Sequence, residues 1–157
     1  MKKIPRDRMA TRAKIYCGTI VEEQGKILLV LEEDEKYPGY DLPGGKLLWC
    51  ENVKDCAIRE FVEETGYKIT LKNLLGVYQR ANVVDESDYF RFIFVGKIKP
   101  KEFKKEIDEK VVKVKWVKVG EIIDQKIKLR SNEVYREILD CVNKKQVSVE
   151  VVGEYVW

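Results

Sequence analysis

The chain has 157 residues, 36% charged and 45% hydrophobic, with 30 Lys and Arg against 27 Asp and Glu, a formal net charge of +3 and no histidine. That length suits about one domain whose core needs no disulfides, and the apolar fraction with nearly balanced charge excludes a disordered chain. The missing histidine excludes a Ser-His-Asp triad, a Cys-His dyad and a His-ligated zinc or haem site. Any chemistry must rest on carboxylates, Lys and Arg, Tyr, thiols, backbone amides or a bound ion.

In chain order, residues 1–12 form a basic leader that lacks the apolar stretch of a signal peptide. No apolar run approaches the ~18–20 residues of a membrane span, and a cytoplasmic location is expected. Residues 13–22 read as a strand, Gln24-Gly25 as a turn and residues 26–33 as a second, well-buried strand, the two forming a hairpin. Residues 34–39 read as a polar loop, and residues 40–49 as a short strand that breaks at Leu42-Pro43-Gly44-Gly45. The clearest helix spans residues 52–65: Asn52 can cap it, Asp55 suits its first turn, and Gly66 is a good terminator. Val53, Ala57, Ile58, Phe61 and Val62 give it an apolar stripe.

Two further strands are expected at 67–80 and 89–98, joined by a polar loop at 81–88 and followed by a charged loop at 99–109. Residues 111–119 alternate as a strand with Val112, Val114 and Trp116 on one face. A short helix at 121–125 and a second clear helix from the cap Ser131 to about Asn143 precede an apolar, β-prone tail at 147–157. No linker or repeat divides the chain, so residues 1–157 read as a single α/β (α+β) domain with a mixed sheet. The tail suits cover for a sheet edge or contact with a partner subunit, as in a homodimer. Cys17, Cys50, Cys56 and Cys141 form no C-x-x-C pair and suit a reduced compartment, Cys17 and Cys56 as small core residues.

Chemistry concentrates between Gly45 and Tyr67. Glu60, Glu63 and Glu64 stand at i, i+3 and i+4, which puts three carboxylates on one helix face at a cost in repulsion. Arg59 can pair with Glu63 or Asp55. Clustered hard oxygens suit Mg²⁺ or Mn²⁺, ions that bridge carboxylates to substrate phosphates. Gly44 and Gly45 let the backbone come close to the same place. Taken alone, the three glutamates also fit a solvated acidic face.

The full spacing reads G-x5-E-x7-R-E-U-x-E-E-x-G-U, with U a bulky apolar residue, on Gly45, Glu51, Arg59, Glu60, Phe61, Glu63, Glu64, Gly66 and Tyr67. This resembles the box of the Nudix hydrolase superfamily; only Tyr67 departs, where an aliphatic residue is usual. The resemblance implies an α/β/α sandwich, a mixed sheet between helices, and hydrolysis of a diphosphate linkage by water with Mg²⁺ or Mn²⁺. It implies Glu60, Glu63, Glu64 and the Gly45 carbonyl as metal ligands, Arg59 as the residue orienting the acids, and Glu51, Gly44 and Gly66 as support. The general base is then a box glutamate or one of the loop acids Glu106, Asp108 and Glu109. Candidate substrate readers are Tyr40, with Arg80 and Arg91 for phosphate and Tyr89 and Phe90 for stacking.

Shorter matches at Arg91-Phe92-Ile93-Phe94, Leu129-Arg130-Ser131 and Gly153-Glu154-Tyr155 resemble the NudJ-type phosphatases, which implies a nucleoside tri- or diphosphate as substrate. An ADP-ribose or nucleotide-sugar pyrophosphatase and a nucleoside triphosphate pyrophosphohydrolase are the alternatives within the superfamily. A nucleotide-sensing module without turnover is the alternative outside catalysis. Nucleic acid is a poor partner for a chain of such small net charge.

Overall fold

The computed structural model describes residues 13–82, 87–103 and 106–153. The expected leader at 1–12 and the end of the tail at 154–157 lie outside the described residues. In chain order the elements are β1 (Lys14–Ile20), β2 (Glu22–Glu23), β3 (Lys26–Glu32), β4 (Tyr40–Asp41), β5 (Gly44–Lys46), α1 (Val53–Thr65), β6 (Tyr67–Asn82), β7 (Ser87–Phe103), β8 (Val111–Lys118), α2 (Val119–Ile123), α3 (Asn132–Val142) and β9 (Val147–Ser148). A 3-10 turn, Val149–Val151, follows β9.

The strands form two sheets. The first runs β5-β1-β7-β6-β9 and is mixed, β1 and β7 being parallel and its other pairs antiparallel. The second places β3 between β2 and β4 along one path and also pairs it with β8. The expected hairpin between the first two strands is present but forms only at its turn end. Only Glu22–Glu23 and Lys26–Ile27 pair, across a turn in which Gln24 and Gly25 take φ of 51° and 71°. The reason is burial: Cys17 to Ile20 and Ile27 to Val30 are unbroken buried runs. Strands of that kind need cover on both faces and partners on their edges, which a two-stranded hairpin cannot supply.

Two further expectations change. The segment at 99–109 is not all loop, because β7 continues to Phe103 and pairs it with Tyr67. Between Ile98 and Phe103 the register slips against Tyr67 and Ile69, so Pro100, which has no N–H to donate, sits in the irregular stretch. In β8, Val112 does not share a buried face with Val114 and Trp116: it is 64% exposed, while Val111 is buried. The ladder skips from Val111, opposite Glu32, to Lys113, opposite Leu31, and Val112 bulges out between them.

Helices cover both sides. α1 packs Cys56, Ala57 and Phe61 against Cys17, Leu74 and Phe94 and against Val21, Leu28 and Ile69. α2 and α3 pack Ile122, Val134, Ile138 and Cys141 against Ile20, Ile27, Leu29, Ile93 and Val117. The result is the expected layering of mixed sheet between helices. α1 begins and ends as its sequence dictates: Asn52 accepts from the Asp55 N–H, and Gly66, at φ 75°, donates its N–H to Val62. The tail covers a sheet edge, Val147 and Ser148 pairing with Leu74 and Asn73. All four cysteines are free, with Cys17 and Cys56 fully buried. Among the described residues, no helix is long and apolar enough to cross a membrane.

Candidate functional site

The glycine turn sets the site. β5 lies against β1 with Gly44 opposite Gly18 and Gly45 opposite Cys17. A Cβ at Gly44 would lie 2.5 Å from the Cys17 carbonyl oxygen, and one at Gly45 would lie 2.3 Å from the carboxyl carbon of Glu60. Only glycine lets the turn pass between β1 and α1. The Gly44 N–H donates to Glu64 Oε2 at 2.9 Å.

Glu64 belongs by position to the core-facing stripe of α1, and it is 4% exposed. Burial pushes its carboxyl up to about 9; the Gly44 N–H works against that shift, and the nearby Glu32, Glu60 and Asp41 add to it. Glu60 is also raised, first by burial, with Arg59 opposing. Arg59 gathers the rest. Its Nε and Nη2 donate to the two Glu51 oxygens at 2.6 and 2.9 Å. Its Nη1 reaches Glu60 Oε1 at 2.7 Å and Glu63 Oε2 at 3.1 Å. The Arg59 hydrogen bond, with help from the Leu48 N–H, holds Glu51 down at about 2. Asp55, the other partner considered for Arg59, sits in the first turn instead and accepts from Nδ2 of the cap residue Asn52 at 2.5 Å.

These groups form one wall of a cleft of about 750 Å³, a volume typical of small-molecule sites. Nine carboxylates and five cationic side chains line it. Among the described residues, no group of three or more carboxylates or thiols converges tightly enough to cage a metal. Arg59 draws Glu60 and Glu63 to itself, and the Gly44 N–H holds Glu64. The donors are nonetheless hard oxygens, the chemistry that suits Mg²⁺ or Mn²⁺.

The opposite wall is built by the first sheet and α3. Strand register sets Lys46, Tyr16, Arg91 and Tyr78 side by side across β5, β1, β7 and β6, and Lys14, Tyr89 and Arg80 in the next row. α3 answers this surface with acids at i, i+4 and i+7. Glu133 pairs with Arg80 at 3.3 Å, Glu137 takes Arg91 through two bonds of 2.7 and 3.1 Å, and Asp140 accepts from the Tyr78 hydroxyl at 3.0 Å. Glu137 is fully buried, and burial pushes its carboxyl up to about 7 against the pull of Arg91. Arg91 also reaches Asp41 at 3.5 Å. Arg130, just before the α3 cap, donates to Glu32 and Asp34.

The expected site residues separate accordingly. Gly44, Gly45, Glu60, Glu63 and Glu64 line the cleft, and Glu51 and Arg59 brace them from behind. Arg80 and Arg91 also line the cleft but are engaged by carboxylates of the protein itself. Tyr40 packs on the core with Lys115 Nζ 6.0 Å from its ring centroid, and Tyr37 lines the cleft in its place. Of the three loop acids, Asp108 lines the cleft, and its N–H donates to the Glu63 carbonyl at 2.7 Å. Glu106 and Glu109 are exposed outside that lining. Sequence reasoning missed Tyr16, Asp41 and Glu137. The helical spacing of Glu133, Glu137 and Asp140 was the one local signal for the last of these.

The NUDIX domain family profile matches residues 11–138. A putative 8-oxo-dGTP diphosphatase of Bacillus subtilis (strain 168) is 42% identical over 71 residues, 45% of this chain and 46% of that protein. The chain thus spans about half the length of that curated relative. Phosphatase NudJ of Escherichia coli (strain K12) is 26% identical over 143 residues, 91% of this chain and 92% of that protein. Among solved structures, a NUDIX hydrolase from Nitrosomonas europaea superimposes with a TM-score of 0.79 at 24% identity, covering 92% of this chain and 98% of that one.

Proposed function

The chain belongs to the NUDIX domain family, and from that premise we propose that it hydrolyses a phosphoanhydride linkage of a small nucleotide-like diphosphate, as a phosphatase of NudJ type. The observation that carries this reading is the acidic wall itself: two largely buried glutamates, Glu60 and Glu64, face a cleft lined by nine carboxylates and five cations. Three of those cations, Arg80, Arg91 and Arg130, are already paired within the protein. A diphosphate would enter against a surplus of negative charge, which a divalent cation offsets. Glu60, Glu63, Glu64 and the Gly45 carbonyl are the groups that would hold it. When bound, Mg²⁺ or Mn²⁺ polarises the phosphoanhydride oxygens and neutralises their charge.

The protein's own groups do the positioning. Arg59 ties Glu51, Glu60 and Glu63 into one unit, and the Gly44 N–H fixes the orientation of Glu64. Asp108, held over the end of α1 by its backbone bond to Glu63, is the loop acid best situated to take the proton of the attacking water. It is preferred to Glu106 and Glu109, which lie outside the cleft lining.

The test is a panel of nucleoside tri- and diphosphates, ADP-ribose and nucleotide sugars with Mg²⁺, products identified. Release of orthophosphate is the expected result. A nucleoside monophosphate with pyrophosphate, or a sugar phosphate, counts against the NudJ-type reading and favours the pyrophosphohydrolase or the pyrophosphatase. Glu64→Gln should abolish turnover of every substrate; unchanged turnover would overturn the assignment of the box acids.

A further inference from the structure

Between the glycine turn and α3 stands a further carboxylate, Asp41. It ends β4, directly before Leu42-Pro43-Gly44-Gly45, and lines the cleft with its side chain 16% exposed. Its Oδ1 accepts the Leu42 N–H at 2.7 Å and lies 3.5 Å from Arg91 Nη2. Its Oδ2 lies 3.9 Å from Arg130 Nη1. Leu42 is 2% exposed, so water is poorly placed to replace an acceptor lost from its N–H.

The cations around Asp41 are anchored elsewhere. Arg91 is fixed by its two bonds to Glu137. Arg130 is fixed by Glu32 and Asp34, and its own N–H donates to the Tyr40 carbonyl at 2.8 Å. Together they frame the carboxylate and orient it, and they keep those other partners if it is removed. The glycine turn is held differently. Its middle is tied to β1, where the Thr19 N–H donates to the Pro43 carbonyl at 2.9 Å, and its far end runs into β5. Its entry is held through the side chain of Asp41. Loss of that side chain therefore falls on the turn, two residues before the Gly44 N–H that donates to Glu64.

We propose that Asp41 is a positioning residue for the hydrolysis: its Oδ1 fixes the entry of the glycine turn and, through the Gly44 N–H, the orientation of Glu64. This rests on the diphosphate-hydrolase reading and adds to it a residue outside the box. The role needs an acceptor at the Oδ1 position and not a negative charge. Asparagine keeps that atom and loses the charge. Glutamate keeps the charge and displaces the acceptor by a methylene. Alanine removes both.

The experiment measures kcat and KM with Mg²⁺ on a nucleoside 5′-diphosphate and on ADP-ribose, and amide hydrogen exchange at Leu42 and Gly44, in wild-type protein, Asp41→Asn, Asp41→Glu and Asp41→Ala. A shift of 1 Å at a reacting centre costs on the order of 100-fold, and a loosened turn entry should cost about tenfold of that. Asp41→Ala and Asp41→Glu should lower kcat about tenfold with KM no higher, and exchange at Leu42 and Gly44 should quicken about tenfold. Asp41→Asn should keep kcat within about twofold of wild type and exchange like it. Equal losses in Asp41→Asn and Asp41→Ala would make the charge the active feature and overturn the proposal. So would an unchanged kcat in Asp41→Glu, or a lowered kcat with no faster exchange at Gly44. Should Asp41→Ala fail to fold, the contrast between asparagine and glutamate decides. Absence of turnover of both compounds by wild-type protein would overturn the hydrolase reading and the role of Asp41 with it, whereas the other failures leave that reading standing.

Discussion

Gly44 and Gly45 are neighbours in one turn, yet the structure separates what each is for. Neither has a positive φ, so alanine at either position acts through space and not through backbone strain. At Gly44 the new Cβ would meet backbone, 2.5 Å from the Cys17 oxygen and 2.6 Å from the Gly18 Cα. Neither atom can retreat without parting β5 from β1. Overpacking of this kind costs about 1–3 kcal/mol, which lowers the thermal midpoint of a chain this size by roughly 3–10 °C. At Gly45 the new Cβ would meet the end of a side chain, 2.3 Å from the Glu60 carboxyl carbon, whereas ordinary contact begins at 3.4 Å. Glu60 would have to move by about 1 Å, a displacement that costs on the order of 100-fold at a reacting centre. Gly44→Ala is therefore expected to lower the midpoint. Gly45→Ala should keep a near-native midpoint and lose about 100-fold in kcat/KM for phosphate release with Mg²⁺. Calorimetry and a phosphate-release assay on the same preparations separate the two effects. Wild-type kcat/KM in a folded Gly45→Ala protein would refute the placement of Glu60 at the reacting centre, and an unchanged midpoint in Gly44→Ala would refute the tight crossing of β5 on β1.

Three other perturbations test the surrounding network. Arg59 holds Glu51 at about 2, below its ordinary 4.5, so the pair stabilises the fold above pH 4.5 and loses that contribution as pH falls through about 2. With Glu51 14% exposed on its side chain, solvent screening trims the effect to about 1–2 kcal/mol. Glu51→Gln should flatten the fall of thermal midpoint across that window, and an unchanged slope would count against the pair. Glu137→Leu, which strands Arg91 beside a newly apolar site, should cost about 3–5 kcal/mol in urea denaturation. Adding Arg91→Met should recover much of the loss, as expected when a buried pair is removed whole; additive losses would speak against it. Asp108→Asn should lower kcat/KM by about 100-fold or more and Glu109→Gln by far less, and equal losses in steady-state kinetics would remove the distinction between them.

The box was legible in the linear chain because its geometry is local. Three carboxylates within one helical turn and a half, a cap at Asn52, a terminator at Gly66 and an arginine beside the first acid are fixed by helical periodicity alone. So were the cap at Ser131 and the lengths of α1 and α3, which the structure reproduces to within a residue or two. Val112 was misplaced because alternation cannot reveal a bulge, which arises only when two strands of unequal length are paired.

The end of the cleft beneath α3 was not legible, for a different reason. Arg80 and Arg91 look like phosphate clamps when read along β6 and β7. Their partners, Glu133 and Glu137, lie 53 and 46 residues away on a helix, and only tertiary packing brings the acids of α3 over that face of the sheet. The same packing decides that Asp108 and not Glu109 meets α1, and that Tyr16 and Tyr89 become neighbours through a parallel pairing across more than 70 residues. The sequence by itself determined the acidic helix, its caps and the hard-oxygen chemistry of its face, because those depend on spacing within a few residues. The tertiary structure alone decided which charges are already neutralised and which rings face the cleft, because ion pairing and burial depend on elements far apart in the chain.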